Sequence, residues 1–286
     1  MAAVPRLLID FLRPGRRHRY GPHHLQRAEL HLPVGAGPHP VMVVIHGGSW
    51  QARYGKLVMR GLVGDLVRRG WAAWNVDYRT VGAGGGWPGT FADTAAAIDH
   101  LRRVDAPLDL ARVCALGHSA GGHLVLWAAS REKLPAGAPG GAPGSERVCL
   151  RHAFVQAGVC DLAGAYRRWQ GGAARALMSG GPEEVPDRYA AGDPMALVPP
   201  DAPVLLVHGV LDEVVSVELS RNYARAARAE GGAVELVEVA GEAGLHRAHL
   251  DPRSAAWAAV AQRLPAAGAG DYAPLEEASS TSRRTP

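Results

Sequence analysis

The stretch that decides the fold is Gly117-His118-Ser119-Ala120-Gly121. Before it, Arg112-Val113-Cys114-Ala115-Leu116 is short and mostly apolar and reads as a buried strand. After it, His123-Leu124-Val125-Leu126-Trp127-Ala128-Ala129 reads as an apolar helix. A G-x-S-x-G pattern between the two requires a very tight turn. Gly117 and Gly121 lack a Cβ, so strand and helix can approach closely around Ser119. Such a turn pushes a serine hydroxyl out at the top of a sheet, next to a helix N-terminus.

Strand and helix patterns alternate on both sides of this turn. Residues 26–32 alternate like an edge strand, and 41–45 form a continuous apolar run suited to burial on both faces. Residues 57–69 have helical spacing and stop at Gly70; 72–76 read as a third strand. A helix is expected over 90–103, with Thr90 as its N-cap and Asp93 three residues on. Further strands are expected at 153–157, 204–207 and 234–239, and helices at 216–230 and 254–264. This βαβα rhythm predicts an α/β fold, a mostly parallel central sheet flanked by helices, with ligands binding beyond the carboxyl ends of the strands. Residues 162–200 carry weaker helices suited to a small cap over the sheet. Residues 1–20 are expected to be a flexible N-terminal segment, 135–145 a flexible loop, and 266–286 a disordered tail. The domain proper then runs over 21–265.

The 286 residues, 47% of them apolar, suffice for one large domain with its own core. Three cysteines, Cys114, Cys149 and Cys160, are too few and scattered for a disulfide framework or zinc site. No metal spacing appears and no organic cofactor is implied. The first fourteen residues fit neither a signal peptide nor a membrane span, so a cytoplasmic location is the default expectation. A net charge of +4 is mild for this length. The clusters Arg16-Arg17-His18-Arg19 and Arg283-Arg284 come with no nucleic-acid motif and read as solvated termini. Neither a nucleic-acid nor a membrane partner is expected. Gly84-Gly85-Gly86 lacks the Lys-Ser/Thr of a phosphate loop and reads as a turn.

A serine hydroxyl is a poor nucleophile at neutral pH and needs a base, itself oriented by an acid. Where such a turn carries a catalytic serine, the chain order is serine, acid, histidine. After the 204–207 strand comes His208-Gly209-Val210-Leu211-Asp212-Glu213, which puts Asp212 on a strand-end loop; the adjacent Glu213 is the less favoured acid. Of thirteen histidines, only His246 and His249 follow Asp212. His246, delivered by the loop 240–245 after the last strand, is the favoured base and His249 the alternative. An oxyanion needs preorganised backbone N–H groups. Ala120, directly after the serine, is one expected donor. Gly48 and Ser49, in His46-Gly47-Gly48-Ser49-Trp50 after the 41–45 strand, are the others. His46 reads as a structural support of that loop. Trp50 and Trp87 are candidates for the pocket wall, with ordinary core packing as the alternative.

Taken together, these pieces resemble α/β-hydrolase-fold carboxylesterases, in particular the kynurenine formamidase-like branch with an HGG-x-W motif. The resemblance rests on His46 to Trp50, Asp77-Tyr78-Arg79, Gly86-Trp87-Pro88 with Asp93, and Gly117 to Gly121. It continues through Gly158-Val159-Cys160-Asp161-Leu162, His208-Gly209 to Asp212, and His246 ahead of Asp251-Pro252, spanning about residues 20–264. It implies an α/β-hydrolase fold and a serine hydrolase with a small-molecule ester or amide substrate. Two positions depart from the branch. Ser49 stands where it has an aromatic residue, and Gly241-Glu242-Ala243-Gly244-Leu245-His246-Arg247 replaces a shorter G-x-D-H-F stretch.

Four activities fit these residues to different degrees. The favoured one is hydrolysis of a small carboxylic ester or amide through an acyl-enzyme on Ser119. The others are an arylformamidase acting on N-formylkynurenine-like substrates, a prolyl-oligopeptidase-type peptidase, and a catalytically silent binding protein. The peptidase generally needs an added domain for which this chain has no room, and the silent fold usually lacks the serine or histidine that is present here.

Overall fold

Apolar runs such as Val41-Met42-Val43-Val44-Ile45 satisfy their backbone only inside a sheet and their side chains only between two covering layers. The computed structural model describes residues 15–141 and 146–267. Eight strands are described, in chain order β1 (Arg16–Arg19), β2 (Arg27–His31), β3 (His39–Ile45), β4 (Ala72–Val76), β5 (Leu108–His118), β6 (Ala153–Gln156), β7 (Val204–Gly209) and β8 (Val234–Val239). They form one sheet ordered β1-β2-β4-β3-β5-β6-β7-β8. From β4 to β8 all neighbours are parallel, while β2 pairs antiparallel with β4, and β1 antiparallel with β2.

Alternation along β3 separates two cores. Val41, Val43 and Ile45 face one side with Trp74 and Trp127, whereas Met42 and Val44 face the other with Trp71 and Trp257. Helices α1 (Arg60–Arg68) and α8 (Ala255–Ala261) cover the second side through Leu62, Val63, Leu66 and Val260. The first is covered by α2 (Gly89–Asp99), α3 (Ala120–Ala128) and α7 (Val217–Ala229), through Phe91, Leu124 and Tyr223 among others. Truncating a fully buried aromatic such as Trp127 in such a layer costs about 3–5 kcal/mol. Between β6 and β7 the short helices α4 (Leu162–Arg168), α5 (Gly172–Met178) and α6 (Pro186–Gly192) pack Leu162, Ala174 and Leu177 onto the same core, over the region where a cap was expected.

Several expectations need correction. Residues 16–19 are mostly exposed, as expected, but they form a strand: they pair with β2, with Arg17 opposite Glu29, so β2 is an inner strand. Thr90 is not the N-cap of α2. It lies one residue inside, where its hydroxyl donates to the Arg79 carbonyl and accepts from the Gly86 N–H, pinning the preceding loop. The α2 stretch also tightens to 3-10 geometry over His100–Arg103, and a 3-10 turn at Lys56–Met59 leads into α1. Residues 1–14, 142–145 and 268–286, with the tail expected there, lie outside the described residues.

Candidate active site

The tight turn predicted at 117–121 is present, with Ser119 between β5 and α3 at φ 56°, ψ −121°. A non-glycine residue in that region carries strain of roughly 1–3 kcal/mol, which its surroundings must hold. The hold is visible. The Ser119 N–H donates to the Gln156 carbonyl at 2.9 Å, and its carbonyl accepts from His123 N–H at 3.2 Å. Close approach explains the glycines: a Cβ on Gly121 would lie 2.1 Å from the Ile45 carbonyl oxygen, and one on Gly117 2.2 Å from that of Gly121.

Asp212 and His246, 34 residues apart, meet beyond β7 and β8, with 2.8 Å between His246 Nδ1 and Asp212 Oδ2. Asp212 Oδ1 also accepts from the N–H groups of Val214 and Val215, both at 2.9 Å. Burial alone would raise this carboxyl, but the neighbouring His208 and the His246 hydrogen bond, reinforced by the Val215 N–H, hold it well below the usual carboxylate range. An ionised Asp212 only accepts, so His246 carries its proton on Nδ1 and keeps the Nε2 lone pair for a proton from a substrate or hydroxyl. Behind Asp212, the fully buried His208 donates from Nε2 to the Val215 carbonyl at 2.8 Å and lies 3.5 Å from Asp212 Oδ2. Its Nδ1 then accepts from the Ser220 hydroxyl at 2.7 Å.

The His246 loop is fastened from the sheet at two points. His118 Nε2 donates to the His246 carbonyl at 3.0 Å, and Gln156 Nε2 to the His249 carbonyl at 3.1 Å. The His118 and His246 rings lie 4.6 Å apart. Burial, and then the neighbouring His246 and His249, push His118 well below the ordinary histidine value, so it is neutral. No hydrogen bond joins Ser119 to His246 among the described residues; such contacts commonly tighten only with substrate bound. His249 is fully buried and makes no hydrogen bond to Asp212, so of the two candidate bases the geometry pairs His246 with the acid. Glu213 is exposed and makes no hydrogen bond to His246 among the described residues.

The loop after β3 runs through left-handed backbone at Gly48 (φ 114°), Ser49 (φ 53°) and Trp50 (φ 57°). At Gly47 a Cβ would lie 2.9 Å from Ser119 Cβ, so this loop backs directly onto the turn. The N–H groups of Gly48, Ser49 and Ala120 take no acceptor among the described residues, which leaves them available to an anionic oxygen. His46 supports the loop as expected. Its Nδ1 donates to the Gly47 carbonyl at 2.7 Å, its ring stacks on Tyr78 at 4.5 Å, and the Tyr78 hydroxyl donates to the His46 carbonyl at 2.9 Å.

A cavity of about 220 Å³ opens at Ser119. Ser49, Trp50 and Ala120 line it with Ser119, and Val159, Trp169, Val214 and Val215 complete most of its apolar wall. Trp50 therefore belongs to the pocket while its ring is also buried against His123. Trp87 does not line this cavity. It packs edge-on against Phe91 and faces a separate depression beside Pro135–Pro139. Sequence reasoning missed Trp169, which arrives from the end of α4 with no motif to mark it. It also missed the clamp by His118, although that residue sits inside the quoted pentapeptide. Among the described residues, no group of three His, Cys, Asp or Glu side chains is placed to hold a metal, and no helix is long and apolar enough to cross a membrane.

Comparison with known proteins bears on the fold and the family. Residues 29–226 match the BD-FAE family model. A bifunctional GH43-CE protein of Bacteroides eggerthii superposes with a TM-score of 0.68 at 24% identity, covering 80% of this chain. The chain spans only 35% of that protein's length. A truncated carbohydrate esterase from gut microbiota gives a TM-score of 0.71 at 21% identity, covering 85% of this chain and 92% of its own. A thermophilic esterase of the planctomycete Thermogutta terrifontis, solved with propionate bound, gives 0.65 at 23% identity, covering 81% and 84%. At these identities the likeness is one of fold. No curated protein matches the chain. The family match extends over more than half of the chain and takes in both Ser119 and Asp212, and the chain accordingly belongs to the BD-FAE family and is an esterase, a carboxylic ester hydrolase.

Proposed function

We propose that the chain hydrolyses esters of short carboxylic acids through an acyl-enzyme on Ser119, with His246 as general base and acid and Asp212 orienting it. The observation that carries this reading is the 2.8 Å Asp212–His246 pair beyond the same strand ends as a strained Ser119 that opens into a small cavity. As Ser119 Oγ attacks the ester carbonyl carbon, its proton passes to His246 Nε2. The carbonyl π pair moves onto oxygen, and the N–H groups of Gly48, Ser49 and Ala120 receive the oxyanion. When the tetrahedral intermediate collapses, the C–O bond to the alcohol breaks and His246 returns the proton to the departing oxygen. Water then repeats the sequence on the acyl-enzyme and releases the acid. Each oxyanion donor contributes about 10²–10³ in rate.

Trp169, Val159 and Val214 bound the cavity, and about 220 Å³ suits acetyl to butyryl groups better than long chains. Ser49 and Ser119 are the polar residues among those that line the cavity. A sugar acetate is one alcohol-side candidate, in keeping with the carbohydrate esterases that share the fold; the alcohol portion then lies outside the cavity. The test is turnover of p-nitrophenyl acetate, butyrate and octanoate beside N-formylkynurenine, with Ser119→Ala in parallel. The expected result is acetate or butyrate preferred over octanoate by about tenfold or more, from the 1–3 kcal/mol that a pocket charges for misfit, with all turnover lost in Ser119→Ala. Preference for N-formylkynurenine would instead assign the chain to the formamidases. Equal activity in Ser119→Ala would remove Ser119 from the reaction.

A further inference from the structure

A second cavity, of about 500 Å³, opens on the other side of the loop that carries Gly48 and Ser49. The two sites share that loop. Ser49 and Trp50 line the Ser119 cavity and residues 53–58 line the second one, with the Tyr54 ring packed so tightly on Gly48 that a Cβ there would lie 2.5 Å from it. We propose that this second cavity is a binding site for an organic anion of about sugar-acid size.

Charge is the first argument. Arg17, Arg27, Arg53, Lys56 and Arg60 line the cavity against two carboxylates, Glu29 and Asp77. The carboxylates form the buried floor. Asp77 takes Lys56 Nζ at 2.5 Å and Arg27 Nε at 3.0 Å; Glu29 takes Arg60 Nη2 at 3.1 Å and lies 3.8 Å from Arg17. Among the lining residues the cations outnumber the carboxylates five to two, and Arg53 is the one of the five that forms no ion pair with either carboxylate. A concave wall on which one sign of charge predominates raises the local concentration of counter-ions, here anions. The guanidinium forks suit planar carboxylates and phosphates better than ammonium groups do. Lys56, only 4% exposed, anchors the floor, while the exposed Arg17, Arg27 and Arg53 stand at the mouth.

Shape is the second argument. Tyr54, Leu57 and Val58 are exposed on the same cavity, an apolar strip beside the cations. Arg53 lies over the Tyr54 ring at 5.0 Å, which holds the guanidinium at the junction of the two surfaces. An anion with a flat or apolar body, its carboxylate on the arginines and its ring on Tyr54, satisfies both. The volume lies within the usual range for small-ligand sites, whereas the Ser119 cavity falls below it. The anion is either a separate ligand or the acidic part of an ester's alcohol. Only the second version rests on the reading of Ser119 given above.

Calorimetric titration with D-glucuronate, D-glucose and inorganic phosphate tests the site, using wild type and the Arg17→Ala/Arg53→Ala double variant. Neither arginine belongs to the Ser119 site, so hydrolysis of p-nitrophenyl acetate reports folding and should be unchanged. Glucuronate and phosphate should bind saturably and more weakly at higher salt, glucose should not bind, and the double variant should bind at least tenfold more weakly. No saturable glucuronate binding to wild type, or equal binding to the variant, overturns the proposal. Acetylated glucuronate and acetylated glucose then separate the two sources. Loss of kcat/KM on the first alone makes the anion part of the substrate; weakened glucuronate binding with both esters hydrolysed as by wild type makes it a separate ligand. Wild type inactive on every ester would sink the Ser119 reading and leave the titration to decide the cavity.

Discussion

Ser119, Asp212 and His246 could be singled out as candidates from sequence because chemistry restricts their type and chain order restricts their place; the structure pairs Asp212 with His246 and sets Ser119 at the strained turn. His118 could not. Its role depends on a contact with His246, 128 residues away, and any residue satisfies the x of G-x-S-x-G. By holding the His246 carbonyl, His118 fixes the height of the imidazole over the turn without touching substrate. We expect His118→Ala to lower kcat on p-nitrophenyl acetate about tenfold with KM changed less than about twofold, because an ångström of misplacement costs up to about 10² in rate. His118→Gln, whose amide N–H can reach the same carbonyl, should recover most of the loss. Equal defects in the two variants, or a defect in KM alone, would show only a packing role. Trp169 was invisible for another reason: a tryptophan at the end of a short helix carries no periodic signal, and only the path of α4 and α5 over the sheet brings it to the cavity.

At the scale of elements, long apolar runs were the legible part. The strands expected at 72–76 and 234–239 match β4 and β8, and those at 41–45, 153–157 and 204–207 differ from β3, β6 and β7 by one or two residues at an end. β1 escaped because Arg16-Arg17-His18-Arg19 has no apolar alternation; β2 recruits it through register, not through burial. Thr90 misled because a hydroxyl ahead of a carboxylate resembles a capping box, whereas here loop contacts claim the hydroxyl first. The packing of α3 on β3 gives a sharp test. A methyl on Gly121 meets the Ile45 carbonyl at 2.1 Å and the His46 carbonyl at 2.7 Å, both backbone atoms unable to swing aside. Gly121→Ala should therefore destabilise the protein by about 3 kcal/mol or more in urea unfolding, as severe overpacking does. It should also cut ester turnover, since the displaced strand end carries the Gly48–Ser49 loop. A variant of wild-type stability would contradict this account of the turn.

Over the whole molecule, buried titratable groups set the response to acid. Burial pushes His123 and His249 down to about 4, and His118 is also well below its ordinary value. In the unfolded chain these rings titrate near 6.5, so between about 4 and 6.5 the unfolded state binds more protons. Stability therefore falls as pH drops through that window, by up to about 3 kcal/mol for each of His123 and His249. Asp193 acts in the opposite sense. Burial, only partly offset by the N–H groups of Leu162, Ala163 and Met195, raises it to about 6, so its protonation favours the fold as pH falls from there toward the ordinary carboxylate value. One carboxyl offsets about one histidine, and three histidines prevail. The melting temperature should drop by roughly 5–10 °C between about pH 7.5 and 4.5, and a flat or rising profile in calorimetry would refute this balance.

The edge strand β1 has a consequence of another kind. An open sheet edge offers unpaired N–H and C=O groups to any second chain, the usual start of edge-to-edge aggregation. Here every residue along that edge is an arginine or a histidine. Two copies approaching antiparallel through β1 would set Arg16 against Arg19 and Arg17 against His18, so this edge of the sheet is guarded against extension. The guard is electrostatic, so it weakens as salt screens it: concentrated stocks of this protein should be kept at low ionic strength.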